Sequence, residues 1–310
     1  MLSFDVPEVE DELYYSWFIA LFKRSGYRSV KEFQKMLRGH RTLALLSQAM
    51  HPAELFGLQQ YSQRDYSPEK IASLTIFPYF RPFISEWGRE KFVDQWNDVS
   101  QRDRGYLSTS SFMADGVKYC HGCRQLDFLD SGRYVWRRSH QLPGVFVCEQ
   151  HGQPLCVIKE YATKCEIALE ALAMKGEQIV DDVSDDLIWL AQKSKELLDL
   201  AQPFYSDRVL KALYGDGFDQ LIPYKRVTGW TEFWSEKTLL LLLRQYGALG
   251  ATHPDHPRRN PIRGKILKIG DSSRPLMFLL DAKGYCEDLE SHFKVCRLFE
   301  ESTSQKQSAN

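Results

Sequence analysis

The sequence predicts a mainly α protein that contains one small β-bearing module. Apolar residues recur at helical spacing over residues 11–99 and again after about residue 165. Between these stretches, residues 117–158 carry short β-prone runs separated by turn residues, together with four of the seven cysteines. A chain of 310 residues is long enough to bury a core without disulfide bonds.

The first helical region predicts two helices joined by a tight turn. Residues 11–25 place large apolar side chains at helical spacing, and Gly26 ends that helix. Ser29 begins a second helix, with Glu32 three residues later completing a capping box. This shape occurs in helix-turn-helix DNA readers and in plain helical hairpins, and the spacing alone favours the plain hairpin.

An aromatic segment over residues 77–83, held between Pro78 and Pro82, predicts an ordered corner in the chain. Two interpretations are open. The rings plug the core, or they form a docking knob together with Arg81, because aromatic and Arg clusters are favoured at interfaces. Composition favours the core plug.

The β-bearing module carries a metal-ligand pattern. Two residues separate Cys120 from Cys123, 24 residues follow, and two more separate Cys148 from His151. Two short-spaced pairs of this kind predict a tetrahedral zinc site, in which Gly122 is expected to ease the first turn. Because protein fills all four positions, the site is expected to be structural rather than catalytic.

Two other histidines compete with His151 as the fourth ligand. His121 lies inside the first pair, where its ring should point outward, and His140 has no short-spaced cysteine partner. His151 is therefore preferred. Within the module, runs 133–136 and 144–147 are predicted to be the strands.

Several functional classes are disfavoured. The HExxH and GxxxxGK[ST] strings are absent, and no pairing of a nucleophile with a base stands out, so an enzyme is not expected. The acidic N-terminus lacks a secretory pattern, and no apolar run is long enough to span a bilayer. We therefore expect a soluble cytoplasmic protein with no membrane partner.

Any DNA affinity must come from local basic patches, because the net charge is −1. One patch lies in a proline-containing loop and is either a phosphate-contacting loop or a solvated one. Its members are Arg258, Arg259, Arg263, Lys265 and Lys268. A second patch lies on the module, partly offset by Asp127 and Asp130, and consists of Arg124, Arg133, Arg137 and Arg138.

The domain prediction follows from these patterns. Residues 1–110 form an N-terminal helical domain, 111–165 the zinc-finger module, and 166–300 a C-terminal helical domain. Ser184 is a predicted helix cap in this last domain, and a strong helix runs over about 234–246. The polar residues 301–310 are predicted to be a disordered tail.

These motifs resemble the TniQ/TnsD family of transposon target selectors. The resemblance is carried by an early DELxYSW-like helix, by the 75–83 corner, and by four elements of the module in order. Those elements are C-x2-C, G-x-x-x-W-x-R at 132–138, an HxLPG-like turn at 140–144, and C-x2-HG-x-x-L at 148–155. His121 departs from the pattern, since the family more often has proline there, but the ligand set is intact.

The resemblance implies helix-turn-helix-type domains flanking the zinc module and a protein that does no chemistry itself. It implies a bacterial protein of the nucleoid that binds double-stranded DNA, or a CRISPR effector complex at its target. Such a protein recruits an AAA+ ATPase regulator, which brings the transposase. The N-terminal half is expected to make that contact, with Tyr15 and Arg81 as candidate residues. The alternatives are a stand-alone zinc-containing transcription regulator and, more weakly, a zinc hydrolase.

Overall fold

The computed structural model describes residues 6–29, 32–33, 35–36, 73–80, 82, 117–158, 176–200, 234–246, 274–285 and 289–308. The chain divides into two compact units. The first comprises Met1–Pro78 and Glu90–Val183, and the second comprises Tyr79–Arg89 and Ser184–Asn310. The described elements are helical apart from one small sheet, as the sequence predicts.

Among its described residues, the first unit contains the sheet and two longer helices. In chain order its elements are α1 (Tyr14–Ser25), β1 (Val117–Tyr119), α3 (His121–Ser131), a 3-10 helix (Ser139–Gln141), β2 (Cys156–Ile158) and β3 (Glu177–Gln178). The short helix α2 (Phe77–Phe80) lies at the boundary of the two units.

The sheet is antiparallel, in the order β1-β2-β3. Val117 pairs with Ile158 in its register, and Cys156 pairs with Gln178. The strands predicted at 133–136 and 144–147 are therefore wrong. Single bridges occur there instead: Arg137, directly after the first run, pairs with Glu12, and Val147, the end of the second run, pairs with Pro154.

Helix α1 ends where the sequence predicts but begins at Tyr14 rather than at residue 11, since Leu13 is its N-cap and Asp11 has a φ of 59°. Gly26 follows it with a φ of 75°, a left-handed conformation that glycine adopts at little cost. Beyond it, the backbone N–H of Glu32 donates to the Ser29 hydroxyl at 3.2 Å, as in a capping box. The aromatic stripe of α1 is enclosed, because Trp17 and Phe18 are fully buried and Phe18 packs on Phe33.

The residues before α1 attach it to the module. The Glu12 carboxylate accepts two hydrogen bonds from Arg133, one of them 2.6 Å long. The backbone N–H of Leu13 donates to the Trp136 carbonyl at 2.7 Å, and the Trp136 N–H donates to the Ser16 hydroxyl at 3.2 Å. The early acidic motif and the G-x-x-x-W-x-R motif are thus each other's partners.

The second unit is helical throughout its described part. Its helices are α4 (Asp185–Asp199), α5 (Glu236–Tyr246), α6 (Arg274–Tyr285) and α7 (Leu289–Ser308). The Ser184 hydroxyl caps α4 by accepting from the Leu187 N–H. Asp186, in the first turn of α4, accepts hydrogen bonds from Lys283 and from the Ser235 N–H.

Two further predictions have outcomes here. Residues 301–308 continue α7, so the prediction of a disordered tail is wrong over that range. Extending a helix that has already formed adds one backbone hydrogen bond for each residue. At the aromatic corner, Tyr79 and Phe80 are buried, which favours the core plug.

None of the described helices combines the length and the hydropathy that a membrane span requires.

Candidate metal centre

The four predicted ligands come from two chain reversals in the first unit. Cys120 directly follows β1, and Cys123 lies in the first turn of α3. Cys148 and His151 lie in a turn closed by two backbone hydrogen bonds, from Cys148 to the Gln153 carbonyl and from Gly152 to the Cys148 carbonyl. The two reversals present their side chains to one point.

The distances fit a tetrahedral ion. The three sulfur atoms lie 3.4–3.6 Å from Nδ1 of His151, and the sulfurs of Cys123 and Cys148 are 3.4 Å apart. Tetrahedral zinc, with sulfur at about 2.3 Å and nitrogen at about 2.0 Å, separates its ligand atoms by about 3.5–3.8 Å. All four ligand atoms lie within 4.8 Å of one another, so the cluster can hold a metal ion, and its composition is consistent with zinc.

Gly122 makes room for the fourth ligand. A Cβ atom at this position would lie 2.9 Å from Nε2 of His151 and 3.0 Å from two ring carbons. Gly122 is inside α3 and is not among the described residues with positive φ. The predicted reason for this glycine, an eased turn, is therefore wrong. The His151 ring lies against the helix backbone where any side chain would stand.

The thiols need a cation to ionise together. A hydrogen bond to Cys120 raises the pKa of Cys148 to about 12, and burial acts in the same direction. Hydrogen bonds to Cys120 and Cys148 likewise raise the pKa of Cys123, because a second negative charge so close to the first is unfavourable. A bound divalent cation would remove that repulsion, since thiolate is the form that binds metal.

A chain of polar groups supports Cys123. The Asp127 carboxylate accepts two hydrogen bonds from Arg137, at 2.7 and 3.1 Å. Arg137 also donates to Oε1 of Gln150 at 3.0 Å, and that oxygen lies 3.5 Å from the Cys123 sulfur. Outer contacts of this kind orient metal ligands. The pattern of cysteines does not predict them, because their partners lie far apart in sequence.

A buried lysine fixes the loop before the second pair. The Lys118 ammonium donates to the carbonyls of Leu142 and Val145, at 2.7 and 2.8 Å. The Gln141 amide bonds both the N–H and the carbonyl of Lys118, at 3.0 and 2.8 Å. The HxLPG-like segment is therefore attached to β1, which directly precedes Cys120.

The two other candidate ligands, His121 and His140, lie outside the four-residue cluster. His121 is exposed, and its Nε2 lies 3.5 Å from the sulfur of Cys156. His140 is buried beside Glu149, at 3.7 Å, and burial lowers its pKa to about 3, so its imidazole is neutral. It groups with Cys148 and Glu149 rather than with the four-residue cluster.

The second basic patch is internal rather than a free cationic surface. Arg133 is held by Glu12, Arg137 by Asp127, and Arg138 by the Asp11 carboxylate and the Thr75 carbonyl. The Arg124 guanidinium lies 4.4 Å from the centre of the Tyr134 ring. These side chains hold the module together and are poorly placed to contact phosphates.

The remaining predicted site residues lie outside the part of the chain that the structure describes. They are Arg81, the basic-loop residues Arg258, Arg259, Arg263, Lys265 and Lys268, and the side chain of Tyr15.

Comparison with known families adds one finding. The family model TniQ matches residues 4–155. That range contains the whole metal cluster, the helix α1 and the segments that join them. From Ser184 onward the chain lies outside the matched range. None of the curated proteins is similar enough to the chain to count as a match.

Proposed function

Because the chain belongs to the TniQ family, we propose that it selects the target site of a Tn-seven-like transposon. The family match over residues 4–155 is the observation that carries the proposal. In this role the protein does no chemistry. It binds double-stranded DNA, or an RNA-guided CRISPR effector complex already at its target, and it recruits an AAA+ ATPase regulator.

The proposal includes one structural zinc ion per chain, held by Cys120, Cys123, Cys148 and His151. A closed set of four protein ligands supports it, because a catalytic zinc keeps a position for water or substrate. Bound zinc would supply folding free energy and would fix the two chain reversals relative to each other. The residues joined to the reversals, from Asp11 to Ser16 and from Arg133 to Ser139, would be fixed with them.

DNA contact is proposed for helix-turn-helix elements that flank the module and for the basic loop. Five cationic side chains between Arg258 and Lys268 motivate the loop. Replacing Arg258, Arg259 and Arg263 by Ala should weaken duplex binding. It should also flatten the slope of log affinity against log salt by about one unit per lost phosphate contact. An unchanged slope would leave the loop without a role in DNA binding.

The decisive experiment for the whole proposal is reconstitution with the ATPase. The full chain is immobilised, and a purified AAA+ regulator of a Tn-seven-like transposon is added with and without target duplex. If the ATPase is retained only where this chain is immobilised, the result supports the target-selector function. DNA binding without any ATPase association would instead favour the alternative function, a stand-alone zinc-containing transcription regulator.

A further inference from the structure

A groove in the first unit lies between α1 and the end of α3. Its volume is about 420 Å³. Ala20, Lys23 and Arg24 of α1 form one wall, and Phe128 and Tyr134 form part of the other. Every lining residue belongs to the first unit, so the groove is a property of that unit alone.

Phe128, one of the two aromatic residues of the apolar wall, belongs to α3, a helix with few buried residues. In α3, only Cys123 and Asp127 are buried. Phe128 is 45% exposed, and its ring lies 4.8 Å from the Tyr134 ring, so the two form a small aromatic surface. Leu129, next to it, is 70% exposed. The aromatic stripe of α1 offers nothing comparable, because its described rings are buried.

The charge of the groove has one sign. Its lining includes Lys23, Arg24 and Arg133 and no acidic residue. Both carboxylate oxygens of Glu12 hold Arg133, so its charge is already balanced. Lys23 is exposed in the last turn of α1, where an acidic occupant would meet it. An aromatic wall beside this cation is therefore complementary to an apolar side chain flanked by carboxylates.

We propose that this groove binds a short segment of the recruited ATPase that carries an apolar anchor next to acidic residues. The inference rests on the proposed function and specifies the surface that performs it. The anchor packs against Phe128 and Tyr134, and a carboxylate next to it pairs with Lys23. A protein segment fits better than a nucleic-acid backbone, since phosphates need cations but gain nothing from an apolar wall beside them.

Two variants of the full chain test the groove, each with a matched control. Lys23→Glu reverses a charge in the groove, and Lys35→Glu makes the same change at an exposed residue outside the lining. Phe128→Ser removes one of the two rings of the aromatic wall, and Leu129→Ser removes an apolar side chain from the neighbouring position. The measured quantity is the Kd for the purified ATPase. We expect Lys23→Glu and Phe128→Ser to raise it by at least about tenfold, and the controls by less than about twofold.

The outcomes separate the inference from the proposed function. If the wild-type chain does not bind the ATPase, the proposed function fails. If it binds and the groove variants match their controls, the groove assignment is wrong and the function stands. If Lys23→Glu weakens duplex DNA binding but leaves the ATPase Kd unchanged, the groove contacts nucleic acid and the inference is overturned. If Phe128→Ser fails to retain zinc, the Kd of Lys23→Glu, a substitution at an exposed residue, still tests the groove assignment.

Discussion

At Gly122, we expect the usual preference of a helix for alanine over glycine to be reversed. Inside a helix, alanine is normally about 1 kcal/mol more favourable than glycine. Here the added methyl group would lie 2.9 Å from the His151 ring. We therefore expect Gly122→Ala to weaken zinc affinity by about tenfold or more, because the ring must leave the ligand position.

Competition with a zinc chelator measures this change. Gly132→Ala is the control: its φ of 71° makes alanine strained there, but a Cβ would meet no atom within 4 Å. That variant should lose stability and keep its zinc affinity. Equal zinc affinity in both variants would contradict the packing argument.

Loss of one thiolate should release the metal and much of the stability. Cys120→Ser is expected to copurify with far less than one zinc per chain. Its free energy of unfolding should fall by more than about 4 kcal/mol, since metal-binding free energy is also folding free energy. Metal analysis and urea unfolding provide the two readouts. Cys156→Ser is the control, because Cys156 is buried but lies outside the cluster. Loss of zinc without loss of stability would exclude a structural role.

At this scale, the sequence predicts what is local and misses what is distant. The four ligands can be found because two short spacings each bring a pair together. Gly122 is visible as a glycine, but its reason depends on a ring 29 positions later. The support that Arg137 and Gln150 give to Cys123 cannot be found from spacing, since long side chains have many partners within reach before the fold is known.

At the scale of the elements, an ion pair between residues far apart in the sequence joins a helix to the module. Glu12 is buried and bound to Arg133, which joins α1 to the module. We expect Glu12→Gln to lower the free energy of unfolding by about 3 kcal/mol, because it leaves a partly buried guanidinium without its counter-charge. Glu10→Gln, at an exposed neighbour, should change it by less than about 0.5 kcal/mol. A double-mutant cycle with Arg133→Met would isolate the pair, and a coupling energy near zero would contradict this role.

The second unit contains a buried histidine that ties stability to pH. Burial lowers the pKa of His292 to about 4, whereas the unfolded imidazole has a pKa of about 6.5. The unfolded chain therefore binds this proton more readily. The contribution of His292 is fully present above about pH 6.5 and is lost as the pH falls toward 4.

Replacement of His292 by Leu should remove up to about 3 kcal/mol of the stability difference between pH 7 and pH 4. Urea unfolding of both proteins at the two pH values measures it. Zinc ligands also protonate in acid, so the informative quantity is the difference between wild type and variant. Parallel pH profiles would show that the imidazole does not titrate in this way.

Helix ends are more predictable than strands in this chain. Gly26, Ser29 and Ser184 act through neighbours three or four residues away, and their caps lie where the pattern indicates. The strands β2 and β3 depend on pairing with distant segments. Run 133–136 has strand-like composition, but the backbone of Trp136 is used to bind Leu13 and Ser16 at the start of α1.

At the scale of the whole molecule, the two units matter for any dissection of function. A fragment ending near residue 160 would remove β3, which pairs with β2 in the first unit. It would also carry Tyr79–Arg89, which belong to the second unit. Recruitment of the ATPase is therefore better tested with substitutions in the full chain than with fragments.

The distant partners of the N-terminal segment also determine when that segment can complete its contacts during synthesis. Glu12 and Arg133 are separated by 121 positions, and Ser16 and Trp136 by 120. At about 5–20 residues per second, a ribosome needs on the order of ten seconds to add that length of chain. During that interval the Glu12 carboxylate and the Ser16 hydroxyl lack the partners that later bind them. The N-terminal segment should therefore stay incompletely folded, and be a substrate for ribosome-associated chaperones, until the second half of the module leaves the exit tunnel.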